Sequence, residues 1–340
     1  MYNEKQNIFG SILLGSFIMV GVAGGLTYAD GFLSNTKTAE EKVVVQAEKN
    51  IDKIKIAEAR QRQVASINKI AESIEPMEII TPPEPEVRGY VFQRENIFKN
   101  TVRAESYLVG DLDTGEILFR KNDDATYPIA SISKFITAIV SLETLDQGEI
   151  TEISREALET EGHRGQFKMG EKIKIGSLLY PLLIVSSNDA AEALARTRDR
   201  DEFIYRMKSK VDSYGLRNTN FGDPSGLSRE NYSTASDLFK LMRIVRSDYP
   251  EIIEISRLET LDLDEHHWEN INQAIDLEGF MGGKTGYTNA AKKTSIGYYR
   301  VKLANEAERN IGVVILQSET REDDTKNMLD YLRKYSAFIE

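Results

Sequence analysis

Tyr127-Pro-Ile-Ala-Ser131-Ile-Ser-Lys134-Phe-Ile-Thr-Ala138 places two reactive polar side chains at the start of an apolar run. The run continues to Val140, so the pattern predicts a helix that begins near Ser131, with Lys134 one turn further along the same face. An amine in that position can take the proton of a serine hydroxyl, which makes Ser131 a candidate nucleophile. The alternative is that Ser131 is a helix N-cap, a position in which serine is common.

Two more polar motifs follow in the chain, Ser186-Ser-Asn188 and Lys284-Thr-Gly286. Each has an ordinary interpretation, since the first could be a loop ahead of a helix at Ala190–Thr197 and the second an exposed edge strand. Hydrolysis of an amide through an acyl-enzyme needs a nucleophile, a base, a proton donor and an oxyanion site. The three motifs together supply these groups, so they indicate one catalytic site.

The sequence around the motifs carries further matches. They are Leu178–Ala191 around the second motif, Asn218–Leu227 followed by Tyr232–Ala235, and Gly283–Thr288 around the third. With these segments, the chain from about Tyr90 onward resembles the penicillin-binding D-alanyl-D-alanine carboxypeptidases. These are low-molecular-mass serine peptidases of the cell wall with a β-lactamase/transpeptidase-like fold, and the resemblance covers roughly three quarters of the chain.

The resemblance assigns catalytic roles to residues of the motifs. Ser131 would be acylated, Lys134 would act as general base, and Ser186 would relay a proton to the leaving nitrogen. The base must be neutral, and a cleft with a second cation nearby, Lys284, favours the neutral amine. By resemblance alone, the backbone N–H groups of Ser131 and Tyr287 would form the oxyanion site.

Substrate-binding roles are expected for Asn188 and for the third motif. The amide of Asn188 can both donate to and accept from a substrate backbone. Lys284 and Thr285 would hold a substrate carboxylate, and Gly286 would let the substrate lie close to the strand. The resemblance implies no metal and no other cofactor.

The implied activity is removal of the terminal D-alanine from peptidoglycan stem peptides, with β-lactams as covalent inhibitors. A D,D-endopeptidase and a β-lactamase-like hydrolase are alternatives within the same chemistry, although the sequence lacks a Glu-x-x-Leu-Asn motif to position a deacylating water. A non-catalytic cell-wall-binding scaffold is the alternative of another class. Such a protein would have no need of Ser131 together with Lys134.

The pattern of elements predicts an α/β protein of the α+β kind, in which helices flank an antiparallel sheet and an all-helical lobe is inserted into it. Strand patterns occur at Ser106–Leu112, Glu116–Arg120, Gly282–Thr285, Thr294–Val301 and Asn310–Gln317. Asp113-Thr-Gly115 would form a hairpin turn between the first two. Helical patterns fill most of Ser131–Arg246 and Thr320–Tyr335. The active site is expected in the cleft between sheet and lobe.

Composition excludes several other functions. The chain has 340 residues, 41% of them hydrophobic, enough for one large domain or two smaller ones. It has no cysteine, so disulfides and thiol catalysis are excluded. A net charge of −11 argues against nucleic acid as a partner. The three histidines, including His266-His267, do not have metal-ligand spacing.

The first 89 residues predict attachment to the cytoplasmic membrane. Ile8–Ala29 is a stretch of 22 residues without charge, long enough to span a bilayer. The predicted organisation is a cytoplasmic tail at 1–7, a transmembrane helix at 8–29, a helical stalk at 30–75, a proline-rich linker at 76–89 and the serine D,D-peptidase domain at 90–340. The domain would lie outside the membrane. The alternative is that 8–29 is a cleaved signal peptide and the protein is secreted.

The chain departs from the family pattern in a few places. Lys292-Lys293 stands where relatives usually have a glycine, so the turn after the third motif is expected to differ. Ser187 replaces a glycine of many relatives. The chain ends at Glu340 without the extra C-terminal β-domain of many relatives, which favours the N-terminal anchor. Asp223-Pro-Ser-Gly226 predicts a turn, for which no catalytic role is expected.

Overall fold

The computed structural model describes residues 89–93 and 101–339, together with the single residues 61 and 65. The predicted transmembrane helix, the stalk and most of the linker lie outside these residues. Among the helices that the structure describes, none is both long and apolar enough to cross a bilayer. The described fold therefore corresponds to the predicted peptidase domain.

Strands and helices alternate along the described chain. The strands are β1 (Gly89–Phe92), β2 (Ser106–Asp111), β3 (Ile117–Lys121), β4 (Tyr127–Pro128), β5 (Ile150–Glu152), β6 (Lys172–Lys174), β7 (Tyr232–Ser233), β8 (Thr260–Leu263), β9 (His266–Glu269), β10 (Phe280–Thr288), β11 (Lys292–Lys302), β12 (Glu308–Ser318) and β13 (Ser336–Ile339). The helices are α1 (Lys134–Thr144), α2 (Arg155–Leu158), α3 (Leu179–Leu183), α4 (Asn188–Arg196), α5 (Arg200–Ser213), α6 (Ala235–Asp248), α7 (Pro250–Ser256) and α8 (Arg321–Tyr335).

A five-stranded antiparallel sheet with the order β10-β11-β12-β2-β3 forms the centre of the domain. The chain makes the β2–β3 hairpin first, leaves the sheet, and returns through β10 and β11 to β12, which pairs with β2. Gly115 has a φ of 80°, the left-handed conformation that the hairpin turn requires. The predicted antiparallel sheet, left and rejoined by the chain, is confirmed. Its edge strand β10 leaves one side unpaired.

Both faces of the sheet are buried, because alternate residues of each strand point to opposite faces. In β12, Val314 belongs to the core shared with the inserted lobe, whereas Val313 and Ile315 belong to the core that contains Leu329 of α8. The sheet is therefore held from two sides, and the lobe lies on the face opposite α8.

The prediction that the inserted lobe is all-helical is wrong. The lobe is mainly helical, but three short antiparallel pairs, β4–β7, β5–β6 and β8–β9, are also present in it. In the β8–β9 hairpin, buried His266 and Trp268 alternate with exposed neighbours, and the turn residue Asp264 has a φ of 52°. Strands of two to four residues are too short for a two-residue period to stand out in the sequence.

Helix α1 is the centre of the lobe. All its residues from Lys134 to Ser141 are buried, and it packs against α3, α4 and α5. A helix that is buried on every side is normally apolar all round. Lys134 is the charged exception, and it lies at the end of α1 that meets the sheet edge.

The two ends of the domain are joined by a strand pair that the sequence did not predict. β1 pairs with β13, the strand that follows α8. The hydroxyl of Tyr90 in β1 donates to Asp111 Oδ2 at 2.6 Å, and Arg309 Nε donates to the same oxygen at 2.7 Å. Asp111 is fully buried and also accepts from the N–H groups of residues 113 and 114. This carboxylate therefore links β1, the hairpin and β12.

We expect Asp111→Ala to lower the free energy of unfolding by roughly 3–5 kcal/mol, because it leaves Arg309 and Tyr90 without their buried partner. Urea unfolding measures the change. Asp113→Ala is the matched control: it removes a half-exposed partner of Arg246 and should cost less than about 1 kcal/mol. Equal losses in the two variants would contradict the prediction.

Candidate active site

A cleft of about 470 Å³ lies between the edge strand β10 and the inserted lobe. Six of the predicted site residues line it: Ser131, Ser186, Asn188, Thr285, Gly286 and Tyr287. The other two, Lys134 and Lys284, are buried beneath the cleft and hydrogen-bond to its serines. A larger depression of about 740 Å³ beside α6 contains none of the eight.

Ser131 lies in a 3₁₀ turn, Ala130–Ser133, that leads directly into α1. It is half-buried, and its side chain caps neither the 3₁₀ turn nor the helix, so the N-cap interpretation is wrong. Ala130 has a φ of 48°, a conformation that costs a non-glycine residue about 1–2 kcal/mol. Strain of this kind is found where the surrounding structure must hold a functional group in one position.

Lys134 is the hub of the site. Its side chain is fully buried, and Nζ donates to Ser131 Oγ at 3.1 Å, to Asn188 Oδ1 at 2.6 Å and to the Ser225 carbonyl at 2.5 Å. These three acceptors match the three hydrogens of an ammonium group. The predicted contact between the lysine amine and the serine hydroxyl is therefore present.

Burial lowers the pKa of Lys134 to about 7, because an ammonium group loses its hydration there. The carboxylates of Asp223 and Asp189 raise this pKa, and the guanidinium of Arg164 lowers it. Of the two causes expected from the sequence, the cleft and a second cation, burial in the cleft is thus the main one. The pKa of Lys284 is also lowered, first by burial and then by the charge of Lys134.

A second pair of hydroxyl and amine lies in the same cleft. Lys284 Nζ donates to Ser186 Oγ at 2.8 Å and to the carbonyl of Thr285 at 2.8 Å. Ser186 has a φ of 57°, so here too a non-glycine residue takes a left-handed backbone conformation at the cleft. The pair can carry a proton between the cleft and a buried amine.

The residues after Ser186 begin helix α4. Ser187, expected to be a small change from glycine, has a φ of −60°, and its side chain accepts from the N–H of Ala190 as the helix N-cap. No glycine is required at this position. Asn188 binds at both ends of its amide, since Oδ1 accepts from Lys134 and Nδ2 donates to the Glu161 carbonyl at 2.7 Å. The second hydrogen of Nδ2 and the second lone pair of Oδ1 remain for a substrate.

Gly286 has a packing role that the sequence did not indicate. A Cβ atom on this residue would lie 2.7 Å from Thr294 Oγ1 and 2.9 Å from both Ala130 Cβ and the Ile129 carbonyl. Real Cβ atoms do not approach other atoms so closely. Glycine is therefore needed for β10 to pack against the turn that carries Ser131, apart from any contact with substrate.

Two arginines of the cleft were not predicted. Arg321, at the start of α8, donates to the Gly286 carbonyl at 2.8 Å and to Glu322 at 2.7 Å. Arg164 lies in the loop after α2, which Asp189 holds through the N–H groups of residues 164 and 165. Both arginines are far in sequence from the motifs, so no local pattern could have found them.

Asn231 is another buried residue that the motifs did not include. Its Nδ2 donates to Ser133 Oγ and to the Asp223 carbonyl, both at 2.9 Å. Its Oδ1 accepts from the N–H groups of Gly222 and Asp223. Every hydrogen-bonding group of the amide is used, so Asn231 fixes the Ser131 turn to the turn that begins at Asp223.

Lys292 stands with Lys293 where relatives usually have a glycine, and the pair alters the charge at the mouth of the cleft. Lys292 begins β11 opposite Thr288 and has a φ of 51°, the left-handed region that favours glycine. The turn keeps this conformation with a lysine, whose Nζ pairs with Glu319 at 3.0 Å. Lys293 lines the cleft and lies 3.8 Å from Glu322. The substitution therefore adds a cation to the mouth of the cleft.

The chemistry of the site defines a class. An amine that can be neutral near pH 7 and contacts a serine hydroxyl makes that hydroxyl a nucleophile. The second hydroxyl–amine pair in the same cleft can return a proton to a leaving group. These are the requirements of a serine enzyme that forms an acyl-enzyme with lysine as base.

Comparison with known proteins agrees with this class. The sequence of residues 93–320 matches the family of D-alanyl-D-alanine carboxypeptidases known as peptidase family S11. The carboxypeptidase DacB2 of Mycobacterium tuberculosis is 32% identical over 203 residues, which cover 57% of this chain and 69% of the relative. A D-alanyl-D-alanine endopeptidase of Pseudomonas aeruginosa is 31% identical over 224 residues, 62% of this chain and 70% of the relative.

Solved structures give the same result. A D-alanyl-D-alanine carboxypeptidase from M. tuberculosis superposes with a TM-score of 0.64 at 27% identity, covering 74% of this chain and 100% of that one. Penicillin-binding protein D2 from Listeria monocytogenes, in its cefotaxime-bound form, has a TM-score of 0.62 at 27% identity, with coverage of 70% and 99%. The chain belongs to the S11 family of serine-type D-alanyl-D-alanine carboxypeptidases, and the resemblance stated from the sequence is confirmed.

We expect Gly226→Ala to slow acylation of Ser131 by about 10²-fold, the cost of displacing a reacting group by roughly 1 Å. Gly226 has a φ of 96°, and a Cβ there would lie 2.1 Å from the Ala130 carbonyl oxygen. Gly215→Ala is the matched control, because its φ is 69° but nothing lies within 4 Å of the added atom. Stopped-flow experiments with a chromogenic β-lactam measure the acylation rate of each variant. Similar acylation rates in the two variants would refute the prediction.

Proposed function

We propose that this enzyme removes the terminal D-alanine from peptidoglycan stem peptides through an acyl-enzyme on Ser131. The observation that carries the proposal is the 3.1 Å distance between Lys134 Nζ and Ser131 Oγ, together with a lysine pKa of about 7. The ammonium form donates to the serine oxygen across this distance, and the neutral amine can accept the serine proton. An ordinary lysine has a pKa near 10.4 and would be almost fully protonated at neutral pH. About half of Lys134 would be neutral there. Acylation should therefore rise as the pH passes upward through about 7.

In the proposed acylation step, neutral Lys134 takes the proton of Ser131, and Oγ forms a bond to the carbonyl carbon of the penultimate D-alanine. The carbonyl oxygen becomes negative, and the backbone N–H groups of Ser131 and Tyr287 would stabilise it. The position of Tyr287 at the exposed rim of β10, beside the Ser131 turn, is compatible with that role.

Collapse of the intermediate breaks the C–N bond, and the leaving nitrogen needs a proton. Ser186 is the proposed donor, because its hydroxyl lines the cleft and Lys284 can replace the proton across 2.8 Å. Lys134 returns the proton that it took from Ser131 to the Lys284–Ser186 pair, which restores both amines. Water then attacks the ester carbon and gives a proton to Lys134, which passes it to Ser131 Oγ as the ester bond breaks and the shortened peptide leaves. The second hydrogen of Asn188 Nδ2 would hold the acyl portion meanwhile.

The leaving D-alanine carries a carboxylate, for which we propose Thr285 and Lys284 as partners. The electrostatics of the cleft support an anionic substrate. The chain has a net charge of −11, yet the cleft is lined by three cations, Arg164, Lys293 and Arg321, against two carboxylates, Glu161 and Glu322, which leaves one positive charge in excess. A concave site with an excess of one charge raises the local concentration of the opposite charge.

An endopeptidase is the second candidate, because relatives with the name D-alanyl-D-alanine endopeptidase match as well as those named carboxypeptidase. The two activities differ in the leaving group of the scissile bond, which is a single amino acid for one and a second stem peptide for the other. Purified muropeptides separate them. Release of D-alanine from monomeric pentapeptides, with cross-linked dimers left intact, would support the carboxypeptidase, and the reverse result the endopeptidase.

We expect a penicillin to add its mass to the peptide that contains Ser131, and Ser131→Ala to remove the adduct. Lys134→Arg keeps the charge but cannot accept a proton, since arginine stays protonated at any working pH. It should acylate about 10² to 10⁴ times more slowly. Lys168→Arg, an exposed lysine paired with Glu265, is the control and should react like wild type.

Mass spectrometry of the intact chain over time gives all these rates. Wild-type speed in Lys134→Arg would exclude Lys134 as the base. A folded wild-type chain with neither adduct nor peptide cleavage would favour the non-catalytic scaffold. Rapid release of a hydrolysed penicillin would favour the β-lactamase-like alternative.

We propose further that residues 8–29 hold the protein in the cytoplasmic membrane with the peptidase domain outside. The support is the charge-free length of this segment and the location of peptidoglycan outside the membrane. Membrane fractionation should recover the intact chain, and N-terminal sequencing should find its first residues still attached. A mature protein that begins at Asp30 would show a signal peptide and overturn the anchor.

A further inference from the structure

The turn Asp223–Gly226 lies directly beneath the nucleophile. Its Ser225 carbonyl accepts from Lys134 Nζ at 2.5 Å, and its Pro224 carbonyl accepts from Thr137 Oγ1 at 2.6 Å. Gly226 packs so closely that there is no space for a Cβ beside Ala130 and Ser131. Three consecutive residues of the turn thus contact the segment that carries the catalytic serine and lysine.

The carboxylate of Asp223 determines the shape of this turn. Oδ1 accepts from Ser225 N–H at 2.6 Å, from Ser225 Oγ at 2.7 Å and from Gly226 N–H at 2.6 Å. Oδ2 accepts from the Ser228 N–H at 2.5 Å. Asp223 is itself buried, so these donors replace its hydration. Burial raises the pKa of Asp223, but the hydrogen bonds outweigh it and leave the pKa below its usual value, so the group is ionised.

We infer that Asp223 is a positioning residue for the acyl-transfer reaction: it holds the Ser225 carbonyl against Lys134, and its negative charge stabilises the ammonium form of that lysine. The inference rests on the proposed roles of Ser131 and Lys134. It adds a group that touches neither substrate nor nucleophile and acts through the base.

The charges around Lys134 come from several elements. Asp223 on the turn and Asp189 on α4 favour its protonated form, while Arg164 on the loop after α2 opposes it. On β10, the charge of Lys134 lowers the pKa of Lys284. Of the two carboxylates, Asp223 has the larger effect on the pKa of Lys134. Asp223 also contributes to the raised pKa of Arg200, whose guanidinium is bound by Glu192 at 2.7 and 2.8 Å.

The charge of Asp223 matters because burial alone would make Lys134 too weak a base. A general base works best when its pKa lies near the working pH, since it must be neutral at the start and must still hold the proton that it takes. Burial favours the neutral amine at the start, but it weakens the hold of the amine on the proton that it takes. Asp223 compensates part of the effect of burial, which leaves the amine titrating near neutrality.

Asp223→Asn removes the charge and keeps an oxygen for the bonds that Oδ1 receives, but its NH2 group replaces Oδ2, the acceptor of the Ser228 N–H. We expect the acid limb of the acylation rate to move to lower pH by on the order of one unit, and the plateau rate to fall several-fold. Asp223→Glu keeps the charge but displaces the turn. Asp223→Glu should lower the plateau of the acylation rate, but the pH at which the rate rises should stay near that of the wild type.

A readout that does not need turnover is the titration of Lys134 itself. The full chain, labelled with ¹³C at lysine Cε, gives a resonance for Lys134 that is identified by its loss in Lys134→Arg. In Asp223→Asn this resonance should titrate at lower pH, in step with the acylation limb. Asp237→Asn is the matched control: its buried carboxylate accepts from Asn218 N–H at 2.9 Å and Thr219 Oγ1 at 3.0 Å, away from Lys134.

An unchanged titration in Asp223→Asn, or an equal shift in Asp237→Asn, would overturn the inference. If Asp223→Asn does not fold, a limb that moves to lower pH in Asp223→Glu would overturn it instead. Failure of the proposed function looks different. The Lys134 titration would then shift as expected in Asp223→Asn, but the wild-type chain would release no D-alanine.

Discussion

A buried ammonium group must be surrounded by acceptors, and this requirement on Lys134 organises the domain. Moving such a charge out of water costs several kcal/mol, which only close hydrogen bonds and nearby carboxylates can offset. The acceptors come from three separate parts of the chain: the Ser131 turn, helix α4 through Asn188, and the turn at Ser225. The same burial that makes the group costly lowers its pKa and makes it useful as a base.

Around this group the backbone is held tightly enough to keep unfavourable conformations. Ala130, next to the nucleophile, and Ser186, which lines the cleft, both have left-handed backbone angles without being glycine. Gly226 and Gly286 press against Ala130 from two directions with no space for a side chain. Strain that is locked by packing in this way leaves the nucleophile few alternative positions.

The sequence was sufficient for the long elements and for the residue types of the site. β11 and β12 have 11 residues each, long enough for their alternation to be visible, and the motifs named every hydroxyl and amine in the cleft that we assign a catalytic role. The sequence could not reveal contacts between segments that are far apart along the chain. Arg321 reaches the Gly286 carbonyl from 35 residues away, and the reason for glycine at 286 is a neighbour in another segment, Ala130.

The sequence also did not reveal the short strands, or the residues that hold the reacting groups in place, for a related reason. A strand such as β13, with four residues directly after a helix, has too few residues to show a period. The turn at Asp223 was recognised as a turn, but its carboxylate faces inward to its own backbone, and no spacing rule reveals that the neighbouring carbonyl meets Lys134. Motifs identify the reacting groups, whereas the groups that hold them are identified only by geometry.

The pairing of β1 with β13 has a mechanical consequence. Tension applied to the chain ahead of Gly89 would be borne first by the four residue pairs of these strands and by the bond from Tyr90 to Asp111. These contacts belong to the core on the α8 face of the sheet, away from α1 and the lobe. A pull from the N-terminal side therefore acts first on contacts of this core, and not on the contacts of α1 with the lobe.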